Sequence, residues 1–198
     1  LKKRKFKKFS KKKYIFFPSQ FWIHKNHEII LETAELLKKE NANVMFVLSG
    51  SKKDHRAKDY YNKLKKKIKE KNISSYVKIK GNVDFKNLYN LQIRAIAMIN
   101  PSFYEGWSTI NEEAKVLNKY IFLSNIPGHV EQKNSGSIYF PPNNPYILLR
   151  KIKSFLKKKK YLNESKLKKK NILFYRKIKN EAVRQLLKVY KTKQSNKE

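Results

Sequence analysis

The chain has 198 residues, no cysteine, and 48 Lys and Arg against 15 Asp and Glu, for a formal net charge of +33. That length holds one α/β domain with tails rather than two complete domains. The lack of Cys removes disulfides, thiolate metal sites and Cys nucleophiles and is compatible with a reducing compartment, and no run reaches the roughly 18 to 20 apolar residues of a membrane-spanning helix.

Residues 1–13 are a Lys-rich run with Phe6 and Phe9 interleaved and no sustained apolar face, which reads as a basic linker or disordered arm. Structure is expected to begin at Tyr14, where YIFFP is a nearly continuous apolar run closed by Pro18, as in a strand covered on both faces. From Asn26 to Glu40, Ile29, Ile30, Thr33, Ala34, Leu36 and Leu37 recur at helical spacing. Val44 to Leu48 predicts a second buried strand, and Asp54 to Lys71 a charged helix with Tyr61, Leu64 and Ile68 facing inward. Strands at Val77 to Ile79, Ala95 to Ile99 and Tyr120 to Leu123 then alternate with helices at Phe85 to Leu91 and Ser108 to Asn118. A weak helix after Pro127 and Gly128, a strand at Ser137 to Phe140 and a helix from near Asn143 complete a lobe over residues 14–158, before a helical tail over residues 159–198. Short apolar strands alternating with helices predict an α/β fold: a Rossmann-like parallel sheet with helices on both faces.

Open parallel sheets bind ligands beyond the carboxyl ends of their strands, so the loops PSQFWIHKNH, LSGS, KGNV, NPSFYEGWST and SNIPGH are where chemistry is sought. In the fourth, Pro101, Gly106, Trp107, Ser108 and Thr109 lead into a helix whose first N–H groups suit phosphate or sugar oxygens. Taken alone, Ser108 or Thr109 with Glu112 or Glu113 reads as a capping box. Helix phase then places Glu113 with Ile110, Ala114 and Leu117 on the face toward the sheet, where a carboxylate needs partners, and leaves Glu112 to solvent. On this reading Glu113 accepts from the vicinal hydroxyls of a ribose and Glu105 meets a transferred sugar. In the first loop Lys25 is placed to neutralise a diphosphate with Gln20 donating a second hydrogen bond, and Asn26 to cap the next helix. In so lysine-rich a chain, chance is the preferred reading of one well-placed Lys taken by itself. His24, His27, His55 and His129 show no metal-ligand spacing and read as loop or surface residues. Neither a Gly-rich dinucleotide fingerprint, a P-loop nor a nucleophile elbow occurs.

Together these pieces resemble the C-terminal, donor-binding lobe of a glycosyltransferase family 4 enzyme, a retaining family of GT-B fold, over Tyr14 to Ile152. NPSFYEGWSTINEEA is similar to the family's Pro-Ser, acidic-Gly and Glu-Ala pattern, with Glu105 and Glu113 matching its paired glutamates. PSQFWIHKNH resembles the first-strand loop, with Lys25 at the second basic position, Gln20 where many members have Arg, and Ser19 in place of the usual Gly. Gly81 with Asn82, and the run holding Gly128, Glu131, Gly136 and Pro141, fall in the family order. The resemblance implies transfer, with retention, from a nucleoside diphosphate sugar donor to a glycan or lipid-linked acceptor. It implies no cofactor and no obligatory metal, the diphosphate being stabilised by protein cations and helix dipoles, and it assigns Glu105 to the donor sugar near the reaction centre.

Because the sequence starts at Leu1 and lacks the acceptor-side half of such an enzyme, it is expected to be a fragment that needs a missing N-terminal lobe for activity. The alternative is a basic nucleic-acid-binding module, which predicts steep salt dependence. Lys is spread along whole helices instead of forming one stripe, which disfavours nucleic acid as a partner. An AT-rich codon bias explains the charge equally well. Basic helices such as Lys157 to Lys170 also suit an anionic membrane surface, each Lys there contributing about 1 kcal/mol. The corresponding location is cytoplasmic, with peripheral attachment to the inner membrane face.

Overall fold

A computed structural model describes residues 12–52, 54, 57, 59–159 and 184. Six strands, β1 (Lys13–Pro18), β2 (Val44–Ser49), β3 (Val77–Ile79), β4 (Ala97–Asn100), β5 (Ile121–Ser124) and β6 (Ser137–Phe140), form one sheet in the order β3-β2-β1-β4-β5-β6. Every adjacent pair is parallel. The helices between and after them are α1 (His27–Lys39), α2 (Tyr60–Glu70), α3 (Phe85–Arg94), α4 (Thr109–Val116), α5 (Pro127–Glu131) and α6 (Pro145–Lys157). The α/β Rossmann-like reading holds, as a six-stranded parallel sheet with helices. Strand succession reverses between the neighbours β1 and β4, which opens the crevice where such sheets take ligands.

The two-residue period of β1 explains both layers. Ile15 and Phe17 join the main core with Ile30, Ala34 and Leu37 of α1, whereas Tyr14 and Phe16 pack with Met45, Val47, Leu88 and Leu91 on the α3 side. The Tyr14 hydroxyl donates to the Leu91 carbonyl at 2.9 Å, which satisfies a phenol whose pKa burial pushes up to about 12. Burying a phenylalanine is worth roughly 1.5–3 kcal/mol, so Phe16, Phe17, Phe46, Phe122 and Phe155, all fully buried, anchor the layers.

Element boundaries shift from expectation in one place that matters. α2 begins at Tyr60, and the described residues Asp54, Ala57 and Asp59 are not helical, against a charge periodicity that placed the start at Asp54. Of α2 only Leu64 is fully buried, with Tyr61 and Ile68 partly so, so the helix rests on few apolar contacts. Residues 1–11 of the expected basic arm, and the tail apart from Lys159 and Arg184, lie outside the described residues. Among the described residues no helix is long and apolar enough to cross a membrane.

Backbone interlocks hold the carboxyl-edge loops together. Gly50 adopts φ +152° where a Cβ would stand 2.1 Å from the Ser19 carbonyl oxygen, so the loops after β1 and β2 touch backbone to backbone. The Gly50 N–H donates to the Gly81 carbonyl at 3.0 Å, extending the contact to the loop after β3.

Candidate functional site

The loop after β1 makes a 3-10 turn at Ile23–Lys25, and the loop after β4 runs from Pro101 to Ser108, so both reach the crevice between β1 and β4. Lys25 Nζ donates to Glu105 Oε1 at 2.7 Å, with side-chain exposures of 15% and 11%. The Ser102 hydroxyl donates to the same oxygen at 2.7 Å. Burial pushes the Glu105 carboxyl up, but the hydrogen bonds from Lys25 and Ser102, with the charge of Lys25, outweigh it and hold the group below its ordinary range. Glu105 is therefore an ionised acceptor on a shielded cation, in the loop that follows β4.

Asn26 has the cap position of α1 but not the expected role. It sits at φ 54° without a side-chain cap bond, and its Nδ2 donates to the carbonyls of Pro101 at 3.1 Å and Pro142 at 2.7 Å. The amide is spent on joining the loops after β1, β4 and β6, a use that local sequence does not disclose. Gln20, on the same first loop, is exposed.

The capping-box reading of α4 is corrected as well. Ser108 occupies the cap position, yet its hydroxyl accepts from Asn100 Nδ2 at 2.9 Å and makes no cap bond. Buried Gln132 instead brackets the Ser108 peptide, its Oε1 accepting from the Ser108 N–H at 2.7 Å and its Nε2 donating to the Ser108 carbonyl at 3.0 Å. Gln132 Nε2 also reaches Glu112 Oε1 at 2.9 Å, and Lys115 pairs with that oxygen at 2.6 Å. Glu112 is thus engaged rather than merely solvated. Thr109, Gly106 and Trp107 are exposed on this rim, with Lys115 Nζ 5.8 Å from the Trp107 ring centroid.

Glu113 lies on α4 with buried Ile110 and Ala114, as helix phase indicated, but its partner comes from a neighbouring helix. Gln92 Nε2 of α3 donates to Glu113 Oε2 at 2.5 Å. Burial raises the Glu113 carboxyl above its ordinary pKa, and the Gln92 hydrogen bond lowers it only in part. The structure groups Lys25, Glu105 and Ser108 through Ser102 and Asn100, and holds Glu113 separately by Gln92. Gly81 and exposed Asn82 line a cavity of about 540 Å³ with Ser51, Lys52 and Lys80, beyond β2 and β3.

Two histidines expected in loops or on the surface are fully buried. His27 stacks on Phe21 at 4.6 Å, and burial first, then the charges of Lys25 and His24, push its pKa down to about 3. His129 Nδ1 lies 3.0 Å from both the carbonyl and hydroxyl oxygens of Ser124, while that hydroxyl donates to the Ser102 carbonyl. Burial lowers the His129 pKa, and its hydrogen bond to Ser124 and the nearby Glu105 charge oppose this. His24 stacks on Tyr104 at 4.6 Å, and His55 lies outside the described residues. The polar residues at strand ends, Asn100 and Ser124, were the available signal for this network.

Residues 1–172 match the family described as glycosyl transferases group 1. The chain belongs to that family. No curated protein matches it. As a glycosyl transferase group 1 chain it is similar in fold to the Anabaena protein HepE, solved in complex with UDP, with a TM-score of 0.71 and 15% identity over 89% of this chain and 49% of that one. A glycosyltransferase from Rickettsia africae gives a TM-score of 0.68 and 24% identity over 92% of this chain and 48% of that one. The C-terminal domain of the group 1 protein LpcC from Francisella tularensis gives 0.65 and 17%, covering 81% of this chain and 82% of that domain. The glycosyl transferase group 1 chain described here thus spans about half the length of the first two relatives and most of a solved C-terminal domain.

Proposed function

We propose that the chain is the donor-binding lobe of a retaining glycosyltransferase of family 4, which takes a nucleoside diphosphate sugar and serves transfer to a glycan or lipid-linked acceptor. The observation that carries this reading is the Lys25–Glu105 pair, built from two different loops at the point where strand order reverses. Lys25 supplies a compact positive charge for the diphosphate, and the first turn of α4 adds N–H groups and the positive end of a helix dipole. These charges stabilise a departing diphosphate without an obligatory metal. Glu105, ionised and fixed by Lys25 and Ser102, accepts from sugar hydroxyls rather than acting as a nucleophile. Glu113 accepts from the ribose. Gln20, Gly81, Asn82, Gly106, Trp107, Ser108 and Thr109 border the donor. HepE with bound UDP supports this reading by fold.

The acceptor-side groups belong to an N-terminal lobe in this account, so the chain binds donor and transfers nothing alone. A cytoplasmic location beside a lipid-linked acceptor is part of the same proposal. Calorimetric titration of the chain, Lys25→Ala and Glu113→Ala with GDP, UDP and dTDP sugars tests it. One sugar nucleotide should bind the unaltered chain at least about tenfold more tightly than either variant; equal binding by all three proteins would overturn the proposal.

A further inference from the structure

We propose that Gln92 is a positioning residue for nucleotide recognition: from the helix behind the site it fixes one oxygen of the Glu113 carboxylate and leaves the other to the ribose. The inference rests on the ribose reading of Glu113 and goes beyond it by assigning a residue on α3, away from every loop at the carboxyl edge of the sheet.

Gln92 is the one fully buried side chain of α3, at 5% exposure, while its apolar neighbours Leu88 and Leu91 are only partly buried. An amphipathic helix ordinarily buries Leu or Ile most deeply, because a buried amide costs free energy unless its hydrogen bonds are met. Here the amide is directed at one acceptor, Glu113 Oε2, at 2.5 Å. A structural tie between α3 and α4 does not call for a carboxylate, since two apolar side chains would join these helices without desolvating a charge. Burial does act against ionised Glu113, so the pair keeps a carboxylate where it is unfavourable.

The pair also leaves a functional group unspent. Glu113 Oε1 makes no hydrogen bond among the described residues and is not among the buried unpaired atoms, so it remains open to a ligand. Glu113 falls one turn into α4, behind the N-terminus that faces the crevice. A flexible glutamate there would sample several rotamers. With Oε2 held, the second oxygen keeps one direction, and the ordering cost of binding a diol falls.

The test uses the full chain and whichever of UDP, GDP and ADP binds it most tightly, with the 2′,3′-dideoxy form of that nucleotide. The unaltered chain should prefer the ribonucleotide by about tenfold or more, the scale of hydrogen bonds to a charged acceptor. Gln92→Met, apolar and of similar length, should lose most of that preference while binding the dideoxy nucleotide within about twofold of the unaltered chain. Gln92→Asn, too short to span the gap, should behave alike. Adding Gln92→Met to Glu113→Ala should change neither affinity further. The ratio of two affinities on one sample does not depend on its folded fraction, so partial unfolding does not imitate the result. If the unaltered chain binds none of the three, or does not discriminate, the ribose reading of Glu113 fails and takes the inference with it. If it discriminates and Gln92→Met does so equally, or loses both nucleotides in the same proportion, the positioning role alone is overturned.

Discussion

Lys25 Nζ and Glu105 Oε1 meet at 2.7 Å although 80 residues separate them in sequence, because β1 and β4 lie side by side in the sheet. The pair is largely shielded but not sealed from water, so its two members should depend strongly on each other. Lys25→Met should cost about 1–3 kcal/mol of unfolding free energy by leaving a half-buried carboxylate without its cation. Glu105→Gln in that background should recover part of the loss. Urea denaturation of the two single variants and the double variant measures the coupling, and additive losses would show that the contact carries no energy.

Gly128 and Gly106 provide a matched contrast. A Cβ on Gly128 would stand 2.5 Å from the Glu105 carbonyl oxygen and 2.8 Å from that of Gly106, backbone atoms that cannot yield without moving the loop. Gly128→Ala should therefore cost about 1–3 kcal/mol and weaken donor binding. A Cβ on Gly106 meets nothing within 4 Å, so Gly106→Ala should change stability by less than about 0.5 kcal/mol. Thermal melts of both variants decide this, and equal effects would count against the brace.

His27 sets an acid limit. Its folded pKa, about 3, lies below the ordinary 6.5, so the unfolded chain takes up the proton first as pH falls. The stability is present above pH 6.5 and is lost between 6.5 and 3, on the order of 5 kcal/mol in total and about 2 kcal/mol by pH 5. His27→Leu should flatten this dependence. Denaturation midpoints at pH 7.5 and 5 for both proteins check it; the same drop in each would assign the acid sensitivity to other groups.

Glu113 has the opposite displacement, its pKa being raised. Folding then favours its protonated form, and the associated stability, fully present below the ordinary carboxyl pKa, is lost as pH rises through the raised one. On the proposed ribose role of Glu113 the binding of a ribonucleotide runs the other way, because the ionised carboxylate is the stronger acceptor for its hydroxyls. Affinity should fall on acidification, starting above the range of an unperturbed glutamate, and Glu113→Gln should abolish that slope. Titrations across the acid range, with the dideoxy nucleotide as reference, separate this effect from the His27 limit.

The parts of the molecule governed by local pattern were readable in the sequence. VMFVL had to be a covered strand, and the 3.6-residue recurrence from Ile29 to Leu37 had to be a helix, since no other arrangement buries those side chains together. Glu105 and Lys25 could be placed because they follow strands whose loops share one edge. What stayed hidden depended on partners distant in the chain. Ser108 looked like a cap until Asn100 claimed its hydroxyl, Glu112 looked free until Gln132 and Lys115 reached it, and Asn26 bonds residues 75 and 116 positions away. His27 and His129 were misplaced for the same reason, as a lone histidine carries no periodic sign of the cavity that will enclose it.

The bridge made by Asn26 has a mechanical consequence. One amide, which cannot titrate and is almost wholly out of water, grips the carbonyl of Pro101 on one side and that of Pro142 on the other. Lys25 is its immediate chain neighbour, and Glu105 follows Pro101 by four residues. A ligand that pulls on the ammonium therefore pulls on the carboxylate's loop and on the approach to α6 together. The backbones that carry the two charges are thus tied to each other by the scaffold before anything binds.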